Sequence, residues 1–334
     1  MKPEDRFVER LRALLPSDDR VRIGPGDDAA VLSAGAGEYA VTTDMLVESV
    51  DFFPEEDPES IGRRAIAVNL SDLAAMGARP DFFLLSIASP PSRGEDFPLA
   101  VARGALSRAG PLRVSLVGGD LSRAPAAAVS VALWGGCVGV WLTRSGARPG
   151  DLLFLSGFAG RAAAGLRLAS RGLPPVPGTS GLPPHEEREL LAAYRDPEPR
   201  VALGLDLARE RLAHAAIDVS DGLGVDAARL ARGSGVKAVL ESQRIPVSPA
   251  LAAFARHEGL DPIEWMLAGG DDYELLFAAP ETALPALVAG RPGWGTPVTR
   301  IGSLERGHGA VLRDASGTER DIAGLGHDHF EEHR

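Results

Sequence analysis

The chain has 334 residues, 46 of them Asp or Glu against 35 Lys or Arg, for a formal charge of −11. That length is too great for one small core and suits two domains, and 45% hydrophobic content excludes wholesale disorder. Acidity without a basic stripe excludes a nucleic-acid partner, because phosphate contacts need clustered cations. Aromatic residues are only 5%, so Ala, Leu and Val must build the cores. Lys2 and Lys237 are the only lysines, and every other cationic side chain is Arg. The single cysteine, Cys137, cannot form an internal disulfide and reads as a small buried hydrophobe. The charged first thirty residues carry no apolar signal core, and no stretch approaches the roughly 18 apolar residues of a membrane span. A soluble protein of the cytoplasm, with no membrane partner, is expected.

Residues 4–15 place Phe7, Val8, Leu11, Leu14 and Leu15 on one helical face. A glycine-rich loop at 24–28 precedes strands at 39–43 and 46–50. Asp57-Pro58 starts a helix that runs to about Met76. A strand at 82–88, an Ala-rich helix near 95–109 and strands at 113–117 and 127–141 follow. The turn-rich RSGARPGD at 144–151 divides residues 1–147 from 148–334. The second part alternates a strand at 151–155, a helix at 158–171 and a Pro/Gly-rich loop at 172–184. Helices near 186–194 and 200–211, a strand at 214–219, a helix at 222–233 and a strand at 236–240 come next. A helix at 248–257, a strand at 274–279, a helix at 281–289 and strands near 297–303 and 310–314 complete it. This alternation predicts two α/β (α+β) domains, with acidic runs 55–59 and 185–189 as solvated helix starts and a frayed tail, HDHFEEHR.

Ten aspartates stand in glycine turns or at the ends of apolar runs: Asp27, Asp28, Asp44, Asp51, Asp72, Asp120, Asp218, Asp221, Asp271 and Asp272. None is Glu, whereas a solvated surface mixes the two. The shorter carboxylate holds its oxygens near the backbone with fewer rotamers to freeze. Hard cations such as Mg²⁺ take such oxygens together with substrate phosphates, and flanking glycines let main-chain amides approach phosphate. Asp next to Gly is also ordinary turn chemistry, and Asp221 is suited to cap the helix that follows it. Asp72, among Leu70, Leu73, Ala74 and Met76, is not on a solvated face and reads as a ligand. The ten account for all but one of the excess acidic charges, which therefore gather at one unfilled metal cage.

No P-loop lysine motif is present, GPGDDA lacks the third glycine of a dinucleotide fingerprint, and the kinase H-R-D loop is missing. A nucleotide enzyme built from this chain must use carboxylate-held metals and Arg.

The segments GPGDDAAV, TTDMLVESVDF, GRRAIAVNLSDLAAMGARP, GGDLSR, TRSGARPGD, DVSDGLG and GGDDYELLF, in this order from about 24 to 330, resemble the thiamine-monophosphate kinase family. The resemblance implies transfer of the ATP γ-phosphoryl group to thiamine monophosphate, giving thiamine diphosphate and ADP. It implies a two-domain fold like that of aminoimidazole ribonucleotide synthetase, with residues 1–147 binding ATP and Mg²⁺ and pairing through a shared β-barrel in a homodimer, and residues 148–334 completing the substrate site. It assigns Mg²⁺ ligands to Asp28, Thr42, Thr43, Asp44, Asp72, Asp120, Asp218 and Asp221, and ATP contacts to Gly119, Asp120, Arg144 and Ser220. Asp44, Asp218 and Arg144 carry the catalysis in this scheme. Acceptor contacts fall on Asp51, on Asp271 where the family often has Glu, and on His327 where it usually has an aromatic residue. Since a phosphate acceptor is already anionic, charge neutralisation and in-line alignment matter more than a general base.

Other ATP-using members of the superfamily are the rivals. A selenophosphate synthetase calls for an N-terminal cysteine and the hydrogenase maturation dehydratase for a C-terminal one, and neither is present. Aminoimidazole ribonucleotide synthetase lacks the TTDMLVESVDF context. A non-catalytic ATP or metal sensor is disfavoured because every acidic segment is intact.

Overall fold

The computed structural model describes residue 9 and residues 21–23, 27–34, 37–171 and 180–328. The helix expected at 4–15 lies outside them apart from residue 9, as do residues 172–179 of the Pro/Gly-rich stretch and 329–334 of the tail. The N-terminal part begins with β1 (Val21–Ile23), β2 (Ala30–Ala34) and β3 (Gly37–Val47). β1 and β2 were not expected from the sequence. β3 is one strand where two were expected; it ends in a turn at Ser49, whose φ is 67°, closed by a bridge between Glu48 and Phe52.

Next come α1 (Pro58–Ala75), β4 (Ala78–Ser89), α2 (Asp96–Ala109), β5 (Ser115–Arg123) and β6 (Ala128–Cys137). The strands form a six-stranded sheet, β1-β2-β3-β6-β4-β5, in which only the β4–β5 pair is parallel. Cys137, expected to be buried, is exposed because β6 ends there and the sheet no longer covers it. α1 starts where expected: the Asp57 side chain accepts from the amides of Glu59 and Ser60, with Pro58 in the first turn. Fourteen of its 18 residues are buried, so it is a central helix and not an amphipathic surface one. Small residues let its neighbours close in: a Cβ on Gly62 would lie 1.9 Å from the Val101 carbonyl oxygen, and one on Gly104 equally close to that of Glu59.

The remainder contains β7 (Leu152–Ser156), α3 (Arg161–Ala169), α4 (Pro184–Arg195), α5 (Val201–Arg209), β8 (Ala215–Val219), α6 (Leu223–Ser234) and β9 (Lys237–Glu241). It continues with α7 (Pro249–Glu258), α8 (Pro262–Ala268), β10 (Glu274–Ala279), α9 (Leu284–Ala289), β11 (Val298–Glu305), β12 (Gly309–Arg313) and β13 (Glu319–Asp321). α8 and β13 were not anticipated. The second sheet, β13-β12-β9-β11-β7-β10-β8, is mixed, with β9 and β12 parallel. Its central strands are buried on both faces, and the alternation of strand side chains sorts them into two cores. Leu152, Phe154, Ala216, Leu275 and Phe277 join the core containing α1, α2 and the first sheet. Leu153, Leu155, Ile217, Val219, Leu276 and Ala278 face α3, α4, α6, α7 and α8. The first core thus crosses residue 147, and α5 packs on α1 with Gly204 against the Ala74 carbonyl. Among the described residues no helix is long and apolar enough to cross a membrane.

Two acidic residues read as solvated are buried, Glu56 and Glu187. Glu56 accepts from the Tyr194 hydroxyl at 2.6 Å, which explains its position. The start of the tail is also held, with Asp328 buried and the His327 amide donating to the Asp221 carbonyl at 2.8 Å. Gly104→Val should force α1 and α2 apart and cost about 1–3 kcal/mol, read as a lower urea midpoint; an unchanged midpoint would show that the close approach is dispensable.

Candidate active site

The acidic residues converge where the two sheets meet α1. Asp28 precedes β2, Thr42 and Asp44 lie on β3, Asp72 is in the last turns of α1, and Asp218 is near the end of β8. One carboxylate oxygen each from Asp28, Asp72 and Asp218 lie within 4.8 Å of one another. Each is oriented by a neighbour. Thr42 Oγ1 donates to Asp72 at 2.5 Å and Ser71 Oγ to Asp218 at 2.6 Å. Arg144 Nη2 donates to Asp28 Oδ1 at 2.6 Å, and its main-chain amide to Asp27 at 3.0 Å. Asn69, one turn before Asp72, accepts from the Asp44 amide at 3.1 Å and so ties β3 to α1.

This crowding resists ionisation. Burial, then the charges of Asp44, Asp218 and Asp28, push Asp72 well above the usual carboxylate range. Burial, followed by Asp28, does the same to Asp218, and burial is the main cause for Asp44, with Asp221 and Asp51 adding to it. Asp27 is pushed up to about 6 by burial and by Asp28. Asp28 Oδ2 is buried without a hydrogen-bond partner. An all-oxygen donor set with too much negative charge and an unused buried lone pair fits a hard divalent cation.

Beyond β8 the loop corrects one expectation. Asp221 does not cap α6; Gly222 holds the cap position and has no side chain to accept from the helix amides. Asp226, inside the helix, accepts from the amides of Ser220, Asp221 and Gly222 at 3.0–3.2 Å, and burial followed by Asp221 pushes it up to about 7. Asp221 is paired instead with Arg229, which also reaches Asp226.

Next to the cluster lies a second group. Asp51 accepts from the Val47 amide at 2.7 Å, and Asp271, in the loop between α8 and β10, donates its amide to the Ser220 carbonyl. Asp271 and Tyr273 have positive φ, 66° and 52°, conformations that the surrounding hydrogen bonds must hold in place. The Asp271 carboxylate accepts from the Tyr273 hydroxyl at 2.9 Å and from Arg64 Nη2 at 3.3 Å. The His327 amide donates to the Asp221 carbonyl, next to the Ser220 carbonyl that accepts from the Asp271 amide.

Three assigned residues are not drawn into the cluster. Strand alternation puts the Thr43 side chain on the opposite, exposed face, where it donates to the Val131 carbonyl. Gly119 and Asp120 lie on exposed edge strand β5, where Asp120 accepts from Ser122, and Gly119 is needed because a Cβ would strike the Leu85 carbonyl. Nor do all ten aspartates share one cage: Asp272 accepts from the Gly160 and Ala162 amides and folds that loop, and burial pushes it up to about 7. Sequence reasoning missed Arg64, Asn69, Ser71, Asp226 and Arg229. The available signal was periodicity, since Arg64, Asn69, Ser71 and Asp72 are polar residues in a helix otherwise buried on every side.

A carboxyl whose pKa is raised on folding favours the folded state at low pH and loses that contribution as pH rises through its folded value. Metal-free protein should therefore lose stability from about pH 4 towards about pH 7, the value reached by Asp226 and Asp272. Asp72→Asn should raise the melting temperature of EDTA-treated protein at pH 8 by a few degrees and remove any further rise on adding Mg²⁺. A drop in melting temperature in EDTA would count against the repulsion.

Residues 26–141 match the family described as AIR synthase related protein, N-terminal domain, and 148–314 its C-terminal domain. The chain is 35% identical to the thiamine-monophosphate kinase of Rhodopirellula baltica over 312 residues, covering 90% of this chain and 89% of that protein. To the Escherichia coli enzyme of the same name it is 33% identical over 327 residues, covering 97% and 96%. The structure of AaThiL complexed with AMPPCP and TMP superposes with a TM-score of 0.81 at 30% identity, covering 97% of this chain and 96% of that one. With two mixed sheets arranged as in the AIR synthase-like fold and similarity along nearly its whole length, the chain belongs to the thiamine-monophosphate kinase family.

Proposed function

We propose that the chain transfers the γ-phosphoryl group of ATP to the phosphate of thiamine monophosphate in the presence of Mg²⁺, giving thiamine diphosphate and ADP in the cytoplasm. The observation that carries this reading is the convergence of Asp28, Asp72 and Asp218 oxygens within 4.8 Å, beside the Asp51 and Asp271 group. Asp28, Asp44, Asp72 and Asp218, with Thr42 orienting Asp72, are the residues that would hold Mg²⁺, and Asp221 is the nearby candidate for a further ion. Bound there, Mg²⁺ supplies positive charge to phosphate oxygens and Lewis acidity at the transferred group.

The side chains have separable tasks. Arg144, fixed against Asp28, is a permanent cation for a phosphate oxygen, and Ser220, in the loop folded by Asp226, is a further nucleotide contact. Gly119 and Asp120 on β5 are proposed as nucleotide contacts, supported by their exposure. Asp51, Asp271 and His327 hold the acceptor, with the carboxylates complementing its cationic thiazolium ring. The acceptor oxygen is already charged, so its alignment and the exclusion of water take the place of a base. Residues 1–147 thus bring most of the acidic cluster, and 148–334 bring Asp218, the nucleotide loop and Asp271.

We also propose a homodimer paired through the first sheet. On that sheet Met45, Phe82, Val117 and Leu121 are 58%, 48%, 58% and 66% exposed, an unusual apolar display for a monomer. β5 is an open edge as well.

Purified protein given Mg²⁺, ATP and thiamine monophosphate should form thiamine diphosphate. Absence of that product, with ATP consumed on aminoimidazole precursors, would favour the related synthetase. Asp44→Asn and Asp218→Asn should each lower kcat by at least about a hundredfold with circular dichroism unchanged; near-normal turnover in both would remove the metal assignment. Leu121→Asp should give a monomer by light scattering, and a dimer retained in that variant with Met45→Asp added would place the interface elsewhere.

A further inference from the structure

Arg64 has no place in the assignments above, yet it touches both halves of the acceptor site. It sits on α1 with 3% of its surface exposed. Nη1 donates to the Asp51 main-chain carbonyl at 2.7 Å, and Nη2 to the Asp271 carboxylate at 3.3 Å across the junction of the two parts. The guanidinium lies over the Tyr194 ring, 4.5 Å from its centroid, and Tyr194 is held by Glu56. Nε is buried without a hydrogen-bond partner.

That arrangement is expensive as pure scaffolding. A buried cation with an unmet donor stabilises a fold less than apolar packing of similar volume. Its contacts are nonetheless selective: one with the main chain at Asp51 and one with the side chain of Asp271. Arg64 offsets one of their two negative charges, so the group retains a net charge of about −1, suited to a single cationic heteroaromatic acceptor. A planar guanidinium can serve two acceptors with fixed relative geometry, whereas an ammonium at the same depth is a point charge that cannot span both.

We propose that Arg64 is a positioning residue for the acceptor site, holding the Asp271 carboxylate and the main chain at Asp51 in register so that both engage one cationic acceptor. This rests on the acceptor reading given above. Asp271 needs such a partner because its left-handed backbone leaves the loop dependent on side-chain anchoring.

The test compares R64K, R64M and D271N with the unaltered protein. R64K should raise KM for thiamine monophosphate about ten- to a hundredfold, as for loss of a charge-assisted hydrogen bond, and leave KM for ATP within about twofold. R64M should raise it at least as far, and R64K combined with D271N should fall short of the product of the two single effects, because the substitutions share the Arg64–Asp271 contact while the contact with the Asp51 carbonyl belongs to Arg64 alone. Amide exchange should quicken in peptides 47–53 and 269–275 of R64K and stay unchanged in 215–222. Equal rises in both KM values, or a D271N effect without an R64K effect, would overturn the proposal. Should R64M fail to fold, R64K retains the charge and decides the matter. Failure of the unaltered protein to use thiamine monophosphate would overturn the functional reading instead, and unchanged exchange at 47–53 and 269–275 would then dismiss Arg64 separately.

Discussion

Mutual repulsion among buried carboxylates is the constraint around which the rest of the molecule is arranged. Asp28, Asp44, Asp72 and Asp218 come from three segments of the first sheet and its helix and one strand of the second; burial holds Asp44, Asp72 and Asp218 above the usual carboxylate range, and the charges of Asp44, Asp218 and Asp28 add to this at Asp72 and that of Asp28 at Asp218. Arg144 is the cation paired with Asp28, while Arg229 is taken up by Asp221 and Asp226. Groups that repel one another stay together only if the backbone around them cannot relax. α1 supplies that rigidity: it is buried on nearly every side, and glycine contacts bring α2 and α5 against its main chain. A divalent cation reverses the sign of the problem, turning the repulsion into a ligand field.

The same helix links the two chemical halves of the site. Asn69, Ser71 and Asp72 near its C-terminal end belong to the acidic cluster, while Arg64, about two turns earlier, belongs to the Asp51–Asp271 group. Two reacting phosphates can meet in line only if the groups gripping each are fixed relative to one another. One central helix carries residues of both groups and fixes them relative to one another without a separate hinge, as the proposed transfer requires. Because the first hydrophobic core runs through α1 and on to Phe154, Leu275 and Phe277, the junction is part of the packed interior.

Much of this was legible beforehand in particular residues. Asp57-Pro58 announced the start of α1, and Asp72 was recognisable because its neighbours are apolar. The alternation of helices and strands led to the mixed α/β architecture. Other features were not legible, for physical reasons. β1, β2 and β13 are short, too short for a clear alternation of their own, and are held as strands by pairing with the strands next to them. Asp221 looked like a cap by position, but Gly222 takes that place, and Asp226 in the first turn of the next helix reaches back to the amides of Ser220, Asp221 and Gly222. Glu56 sat in an acidic run and is buried because Tyr194, distant in sequence, needs an acceptor.

The sequence by itself determined the composition: an acidic chain with two lysines, no P-loop, and aspartates in glycine turns, the pattern expected where phosphate is met through metals and arginine. It also determined the family, since its acidic segments occur in a characteristic order. Only the tertiary structure decided which aspartates lie together. Thr43 is turned away by strand alternation, Asp120 is left on an open edge, and Asp272 is spent on folding a loop. Side-chain direction depends on register and packing against partners far along the chain, and no local pattern encodes it. For the same reason Arg64 became visible only when Asp51 and Asp271, 220 residues apart, were found on either side of it.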